Sequence, residues 1–409
     1  MSELKTSDPR IFELIQKEGQ RIENTIDLVA SETHMPKSIL EEMGSVLNHK
    51  TIEGYPGKRY HAGCEFVDII ETIAIERLQE LFDAEHANVQ PHTGSAANFA
   101  VYYSVLNIGD KVLAMSLAHG GHLTHGHPAS MTSKCFLFKH YNVDLETELI
   151  DYDALSKQAY KFKPKMLVAG ASSYPRLIDY ERMAYIAKSV GAYLFVDMAH
   201  IAGLVAAKLI PSPLPYADFV SFTTFKTMMG GRGGVVLCRK EYAEALDKAV
   251  FPGTQGTSSV SNIAGKATIA KLAQEAKFIN VQRQTLASAK LLAKLLAEKG
   301  FRIVSGGTDT HQVVVDVTSK DLSGAQAETT LESIGIITNK NFIPQDVGSK
   351  PSGLRLGTGP ISVRGIGKDR VEQIATIIDQ ALMSRAEKLV LSKLKSEVLE
   401  ICKQFPVYN

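Results

Sequence analysis

Between about residues 85 and 240, short apolar segments alternate with helical patterns, and this alternation constrains the fold more than any other feature. The predicted strands are Lys111–Met115, Cys135–Phe138, Met166–Ala171, Tyr193–Asp197 and Phe219–Phe222. The predicted helices include Ser95–Leu106 and Tyr180–Val190. Apolar strands that alternate with helices are typical of a mostly parallel sheet covered on both faces. We therefore predict an α/β fold that binds its ligand beyond the carboxyl ends of the strands.

The flanking regions carry further elements, and 409 residues are more than one small core needs. Helical periodicity predicts helices at 9–24 and 67–82, and a long one at 266–299. Beyond residue 300, short strands and two helices, near 322–333 and 368–383, indicate a smaller α+β domain. We predict an N-terminal arm at 1–45, a large domain at 46–275 and a small C-terminal domain at 276–409.

Composition argues against several classes of partner. The chain has 45 basic and 44 acidic side chains, so its net charge of +1 gives no reason to expect nucleic acid or an anionic membrane. No apolar run approaches the roughly 18 to 20 residues that span a bilayer, and the first residues lack a signal pattern. The four cysteines have no paired spacing, which indicates reduced thiols in a cytoplasmic protein.

Lys226 lies between two apolar segments, Phe219–Phe222 and Val235–Cys238. A lysine between two buried strands is unfavourable unless it is paired or used chemically. Burial lowers the pKa of an amine and favours a Schiff base with a carbonyl compound. The alternative, which is commoner for an isolated lysine, is a side chain that extends from a strand end to solvent.

Two further positions at the ends of predicted elements have two interpretations each. Thr93, Gly94 and Ser95 open a predicted helix, where free amides and the helix dipole bind phosphate well. The same residues also make an ordinary N-cap. Asp197 ends a predicted strand and could pair with a protonated ring nitrogen of a cofactor. Its alternative role is a strand-end cap.

His119, His122 and His125 suggest a metal site, but no nearby carboxylate or cysteine completes a known ligand spacing. We predict no metal and consider an imidazole stacked on an aromatic cofactor at least as plausible. Arg355, on a predicted strand among glycines, suits a bidentate clamp on a substrate carboxylate. A phosphate site, a carboxylate, a Schiff-base lysine and this arginine are the parts of a pyridoxal-phosphate enzyme for amino acids.

With these residues in place, the chain resembles the serine hydroxymethyltransferase family, from about residue 8 to the final Phe-Pro-Val-Tyr. The matching stretches are Leu28–Glu32, Glu53–Tyr60, Asn88–Ser95, Leu117–Gly126, Phe195–Ala206 and Val304–Asp309. The resemblance implies a fold-type I, aspartate aminotransferase-like transferase that depends on pyridoxal 5'-phosphate. It also implies a homodimer or dimer of dimers with shared active sites.

The resemblance assigns cofactor roles to individual positions. Lys226 would form the Schiff base, Asp197 would pair with the pyridine nitrogen, and His122 would stack on the ring. Ser172 and His200 would contact the hydroxyl side of the ring. The phosphate group would be held by Thr93, Gly94 and Ser95, with Gln255, Gly256 and Thr257 approaching from the partner subunit. Thr223 would also contact the cofactor.

The resemblance also implies the substrates, which are serine and glycine with tetrahydrofolate as the one-carbon acceptor. Ser31 and Arg355 would bind the amino-acid carboxylate. Glu53 would be the acid/base carboxylate near the hydroxymethyl group, with Tyr60 beside it. The folate would contact Leu117, Gly121, Leu123 and Asn341.

Four residues depart from the family pattern close to the cofactor. Phe225 replaces a histidine before the lysine, Thr51 and His61 each replace a tyrosine, and Thr257 replaces a glycine. Under neutral variation, the enzyme still converts serine to glycine. Under specialisation, the pocket serves threonine-type aldol cleavage, transaldolation or an α-methylated amino acid. The retained folate positions and Glu53 favour the first interpretation.

Overall fold

The protein is represented by a computed structural model that describes residues 3–408. The helices are α1 Glu3–Ser7, α2 Pro9–Glu23, α3 Lys37–Met43, α4 Glu65–Phe82, α5 Gly94–Val105, α6 Met131–Cys135, α7 Tyr152–Phe162, α8 Tyr180–Ser189, α9 Ala202–Ala206, α10 Ala243–Lys248, α11 Val260–Leu272, α12 Ala276–Glu298, α13 Gly324–Ser333, α14 Gly359–Val363, α15 Lys368–Met383 and α16 Lys388–Gln404. The strands are β1 Ile26–Asp27, β2 Gly54–Tyr55, β3 Lys58–Arg59, β4 His86–Asn88, β5 Lys111–Met115, β6 Leu137–Tyr141, β7 Met166–Gly170, β8 Tyr193–Asp197, β9 Phe219–Thr223, β10 Gly234–Cys238, β11 Arg302–Ile303, β12 Gln312–Asp316, β13 Ile336–Ile337, β14 Asn339–Asn341 and β15 Gly353–Gly357.

A seven-stranded sheet with the order β4-β10-β9-β8-β7-β5-β6 forms the centre of the larger part of the chain. Neighbouring strands from β9 to β6 are parallel, whereas β10 is antiparallel to both β9 and β4. Every residue of β7, β9 and β10 is buried, so both faces of the sheet are covered. The predicted mostly parallel α/β sheet is confirmed.

The described chain divides into two compact units. The large unit comprises residues 35–283 and 343–346, and it contains the seven-stranded sheet. The small unit comprises residues 3–34, 284–342 and 347–408. It contains a four-stranded antiparallel sheet with the order β11-β12-β15-β14.

Apart from the short segment 343–346, these boundaries differ from the predicted ones at two places. Residues 3–34 fold with the C-terminal part of the chain, because β1 pairs with β13 and buries Ile26 and Leu28 in the core of the small unit. The second boundary falls inside α12, between Arg283 and Gln284, instead of near residue 275. Neither boundary coincides with a proline- or glycine-rich segment, so composition gives no signal for it.

Most predicted elements are confirmed to within a few residues, with three differences. The predicted strand at Cys135–Phe138 is the end of α6 followed by β6, which begins at Leu137. The helical pattern at 266–299 is divided between α11 and α12, at a break without glycine or proline. Helices α3, α7, α10 and α16 were not predicted. Within residues 3–408, every helix is too short or too polar to cross a membrane.

Candidate active site

Polar residues follow several strands at the carboxyl edge of the seven-stranded sheet. Asp197 ends β8, and Thr223 ends β9 three residues before Lys226. The parallel register pairs Asp197 with Ser221, so these two strand ends lie side by side. Because β4 runs parallel to β9 through their shared neighbour β10, the start of α5 after β4 reaches the same edge.

Asp197 has hydrogen bonds to both of its carboxylate oxygens at this edge. Its Oδ2 accepts hydrogen bonds from Asn98 Nδ2 at 2.9 Å and lies 3.1 Å from His125 Nε2, while Oδ1 accepts from the Ala199 N–H at 3.0 Å. Burial by itself would raise the pKa of Asp197. The hydrogen bond from His125 and the positive fields of His125, His122 and Lys226 outweigh burial and hold the pKa well below its usual range. Asp197 is therefore ionised at neutral pH.

The partners of Asp197 are themselves fixed by a second layer of hydrogen bonds. Nδ1 of His125 lies 2.7 Å from the hydroxyl of Tyr102, a fully buried residue of α5. Oδ1 of Asn98 accepts from Ser221 Oγ at 2.6 Å, and its Nδ2 also donates to Thr124 Oγ1 at 2.8 Å. These contacts fix the orientation of both the imidazole and the amide that hold Asp197.

From the sequence, His125 was considered only as one of three histidines, and Asn98 was not predicted to have a role. No carboxylate is near these histidines in the sequence, but the fold brings Asp197 next to two of them. Potential ligand atoms of His122, His125 and Asp197 lie within 4.8 Å of one another. In the structure, Asp197 and His125 contact each other directly, and His122 Nδ1 lies 2.7 Å from Thr124 Oγ1.

Lys226 is 8% exposed and lies in a tightly held turn after β9. The Gly230 N–H donates to Thr224 O at 2.6 Å, and Thr224 Oγ1 donates to Gly231 O at 2.6 Å. Met229 has φ 60°, a strained left-handed conformation for a residue with a side chain. The turn therefore holds the lysine against the sheet edge and away from bulk solvent.

Phe225, one of the four departures, lies beside the lysine. Its ring centroid is 5.9 Å from Lys226 Nζ and 4.7 Å from the guanidinium carbon of Arg232. The exposed Arg232 thus covers the ring of the residue that replaces the expected histidine. No sequence pattern indicated this cation–π contact.

The start of α5 forms a cradle lined by backbone amides. Thr93 is the N-cap, and its Oγ1 accepts from the Ala96 N–H at 3.1 Å. A Cβ at Gly94 would lie 2.5 Å from Thr223 Cγ2, so only glycine lets β9 approach the helix this closely. Thr223 Oγ1 is buried and has no hydrogen-bond partner within residues 3–408. A buried hydroxyl with an unmet hydrogen bond beside a helix N-terminus suits a bound anion.

The loop after β5 and the turn after β7 meet at the same edge. The Ser172 N–H donates to Gly120 O at 2.7 Å, and the Gly121 N–H donates to Ser116 O at 2.8 Å. Leu117 and Leu123 are 36% and 51% exposed, so they offer apolar surface. His200 is buried, and its carbonyl accepts from Thr227 Oγ1 at 2.9 Å, which ties it to the lysine turn.

Glu53 immediately precedes the β2–β3 hairpin of the large unit, and its carbonyl accepts from the Tyr60 N–H at 3.1 Å. Arg59 holds this hairpin, because its guanidinium binds Glu71 and Asp68 and donates to Gly54 O. A Cβ at Gly256 would lie 3.9 Å from Glu53 Oε1, so Glu53 reaches the predicted phosphate-binding loop of its own chain.

Around this loop, Thr257 and Gln255 both make hydrogen bonds within the chain. Thr257 Oγ1 accepts from the Ile52 N–H at 2.8 Å. The side chain of Gln255 accepts from the His92 N–H at 3.2 Å and donates to Gln90 O at 2.8 Å. The approach of residues 255–257 to a phosphate in the partner subunit stays a prediction.

Three predicted substrate-binding residues, Ser31, Asn341 and Arg355, belong to the small unit. Arg355 lies on β15, where its Nε donates to Asn339 Oδ1 at 3.1 Å, and Asn341 lies on the neighbouring β14. Burial lowers the pKa of Arg355 to about 10. The Gly357 N–H donates to Leu28 O at 2.7 Å, so the end of β15 lies against the segment that leads to Ser31.

A family model described as serine hydroxymethyltransferase matches residues 4–378 of this chain. The match covers nearly the whole chain and includes every candidate residue described above.

Proposed function

The chain belongs to the serine hydroxymethyltransferase family, and we propose that it interconverts serine and glycine with tetrahydrofolate as the one-carbon acceptor. The observation that carries the proposal is the group of a buried lysine, an ionised aspartate and an open helix N-terminus at one sheet edge. These are Lys226, Asp197 and Gly94, all in the large unit.

Features of the large unit fit pyridoxal 5'-phosphate, the cofactor that the family implies. The free amides at the start of α5 and the unpartnered Thr223 Oγ1 suit its phosphate group. The low pKa of Asp197 suits a protonated pyridine nitrogen, since a carboxylate that stays ionised stabilises that charge. Lys226 offers a primary amine to the aldehyde, and His122 offers a ring for stacking.

Different residues would serve in binding and in proton transfer. When bound, pyridoxal phosphate would supply an electron sink for bond cleavage at the Cα atom of an amino acid. Asp197 would keep the proton on the ring nitrogen, and Arg355 with Ser31 would orient the substrate carboxylate. Glu53 would accept or return the proton of the substrate hydroxyl group, with Tyr60 beside it.

The remaining roles follow the family pattern. We assign Ser172 and His200 to the hydroxyl side of the cofactor ring, and Gly256 and Thr257 to a phosphate across a subunit interface. Leu117, Gly121, Leu123 and Asn341 would contact folate, and the exposed apolar surface of Leu117 and Leu123 supports this.

We propose a homodimer or a dimer of dimers in the cytoplasm. Phe66 and Ile69 lie one turn apart on α4 and are 71% and 56% exposed, which supports a subunit interface there. All four cysteines are free thiols, which supports a reducing compartment.

A second candidate is a specialised enzyme on the same scaffold, either a folate-independent aldolase or transaldolase or an α-methylserine hydroxymethyltransferase. The observation that favours it is the Phe225 ring covered by Arg232, which gives the lysine an apolar phenyl neighbour in place of a polar imidazole. Such a change lowers the polarity next to the proposed reacting centre.

One pair of experiments tests these assignments. The purified protein should absorb visible light because of its bound cofactor, and Lys226→Ala should lose that absorbance. Unchanged absorbance in the variant would refute the role of Lys226. Serine and threonine cleavage, each with and without tetrahydrofolate, then separates the candidates. Folate-independent turnover that prefers threonine would reject the proposed function in favour of the second candidate.

A further inference from the structure

Lys266, a residue of α11 with no role in the proposed chemistry, is buried to 1% exposure in the large unit. Its Nζ donates to three main-chain carbonyl oxygens, those of Val89 at 2.5 Å, Pro91 at 3.1 Å and Gly234 at 2.9 Å. An ammonium group has three N–H donors and no acceptor, so these three carbonyls satisfy it completely. A neutral amine would have only two donors for the same three acceptors.

The three carbonyls belong to the segments that build the cradle at the start of α5. Val89 and Pro91 lie in the connection from β4 to the N-cap Thr93, and Gly234 opens β10. The Gly234 N–H donates to Pro91 O at 3.0 Å, and a Cβ at Gly234 would lie 2.2 Å from Thr93 O. Lys266 therefore lies directly behind the residues that would hold the cofactor phosphate.

The backbone just before β10 passes close to this lysine. A Cβ at Gly233, the residue just before β10, would lie 2.3 Å from Lys266 Cε, so a larger residue there would displace the lysine side chain. The carbonyl between Val89 and Pro91, that of Gln90, accepts hydrogen bonds from the side chains of Gln255 and Ser258. Three consecutive carbonyls ahead of the cradle are thus held by side chains.

Within residues 3–408, the ammonium group of Lys266 donates to main-chain carbonyls and forms no salt bridge with a carboxylate. On the helices packed against α11, Glu42 of α3 accepts a hydrogen bond from Thr268 Oγ1, Arg77 of α4 donates to Ala267 O, and Glu71 of α4 acts on Lys266 electrostatically. Glu71 raises the pKa of Lys266, but Glu71 is itself ion-paired with Arg59. Burial is the larger effect, and it lowers the pKa of Lys266 to about 7.

We propose that Lys266 is a positioning residue for the cofactor phosphate, because its ammonium group holds the β4–α5 connection in place and adds positive charge behind the cradle. A bound phosphate dianion stabilises the charged form of a nearby amine, so phosphate binding and protonation of Lys266 reinforce each other. The proposal rests on pyridoxal phosphate as the cofactor and is independent of which amino acid is converted.

The test compares the dissociation constants of pyridoxal phosphate and pyridoxal, measured by absorbance titration of the full-length protein after cofactor removal. The ratio of the two constants isolates the contribution of the phosphate group. Lys266→Met keeps the volume of the side chain and removes its charge. The variant should raise the dissociation constant of pyridoxal phosphate by roughly tenfold or more, while that of pyridoxal changes little. Equal weakening of both ligands, or of neither, would overturn the proposal.

The pH dependence gives a readout that packing alone would not produce. From about pH 6.5 to about pH 8.5, the wild-type preference for pyridoxal phosphate should fall, because Lys266 loses its proton as the pH rises through about 7. Lys266→Arg keeps its charge in this range and should show a flat ratio. A wild-type ratio that is as flat as that of Lys266→Arg would reject the proposal even if Lys266→Met failed to fold.

Failure of the cofactor assignment is distinguishable from failure of this inference. If the wild-type protein bound neither ligand, the cofactor assignment itself would be wrong. If the wild type bound pyridoxal phosphate but the ratio were the same in Lys266→Met, only the role of Lys266 would be rejected.

Discussion

The hydroxyl oxygen of Thr257 accepts a hydrogen bond from the backbone N–H of Ile52 at 2.8 Å. Ile52 directly precedes Glu53, so one departure from the family pattern is tied to the segment that carries the proposed acid/base residue. A glycine at position 257 could not make this contact. The threonine therefore has a structural use that links the phosphate-binding loop to Glu53.

Removing this hydroxyl should disturb Glu53 more than it disturbs the fold. We expect Thr257→Ala to lower kcat for serine cleavage several-fold, since one neutral hydrogen bond contributes about 1 kcal/mol. Thr257→Ser keeps the oxygen and is the matched control. Steady-state kinetics check the prediction, and equal kcat values in the two variants would contradict it.

Phe225→His restores the side chain that the family pattern has before the lysine. Under the proposed function, folate-dependent serine cleavage should stay within about threefold of wild type, a change of less than 1 kcal/mol in the barrier. Phe225→Leu controls for loss of the contact with Arg232. A rise of more than about tenfold in the histidine variant alone would favour the specialised alternative.

Asp197→Asn should lower kcat for serine cleavage by about 100-fold or more, because a neutral amide cannot stabilise a proton on the cofactor ring nitrogen as a carboxylate does.

The effect of Asp197→Asn on the free energy of unfolding should depend on pH. Since the native pKa lies below the unfolded value of about 3.9, ionised Asp197 stabilises the fold above that pH. The difference between wild type and variant should shrink as the pH falls below about 4. Urea unfolding without cofactor measures it, and a constant difference would contradict this assignment.

Gly357→Ala should weaken substrate binding through the backbone. A Cβ at this position would lie 2.3 Å from Ala30 Cα, next to Ser31, so the segment from Leu28 to Ser31 must move. We expect KM for serine to rise several-fold. Gly359→Ala is the matched control, because a Cβ there meets no atom of residues 3–408 within 4 Å. Similar KM values in both variants would argue against Ser31 as a substrate ligand.

The ends of elements could be predicted well from the sequence, and the proposed chemistry is concentrated there. Asp197, Thr93 and Lys226 each follow or open an element whose apolar pattern is local. The ends of the apolar segments located these three residues to within a few positions. The break between α11 and α12 was missed because no glycine or proline marks it.

The sequence by itself determined the α/β sheet, the order of its chemical groups and the family, because these are encoded in periodicity and contiguous motifs. Only the tertiary structure brings His125 into contact with Asp197, from which it is separated by 72 positions in the sequence. It also places Lys266 behind the cradle, in contact with Pro91, which is 175 positions away. It also assigned residues 3–34 to the small unit. Such contacts depend on strand order and register, which are set by burial across the whole fold and leave no local pattern.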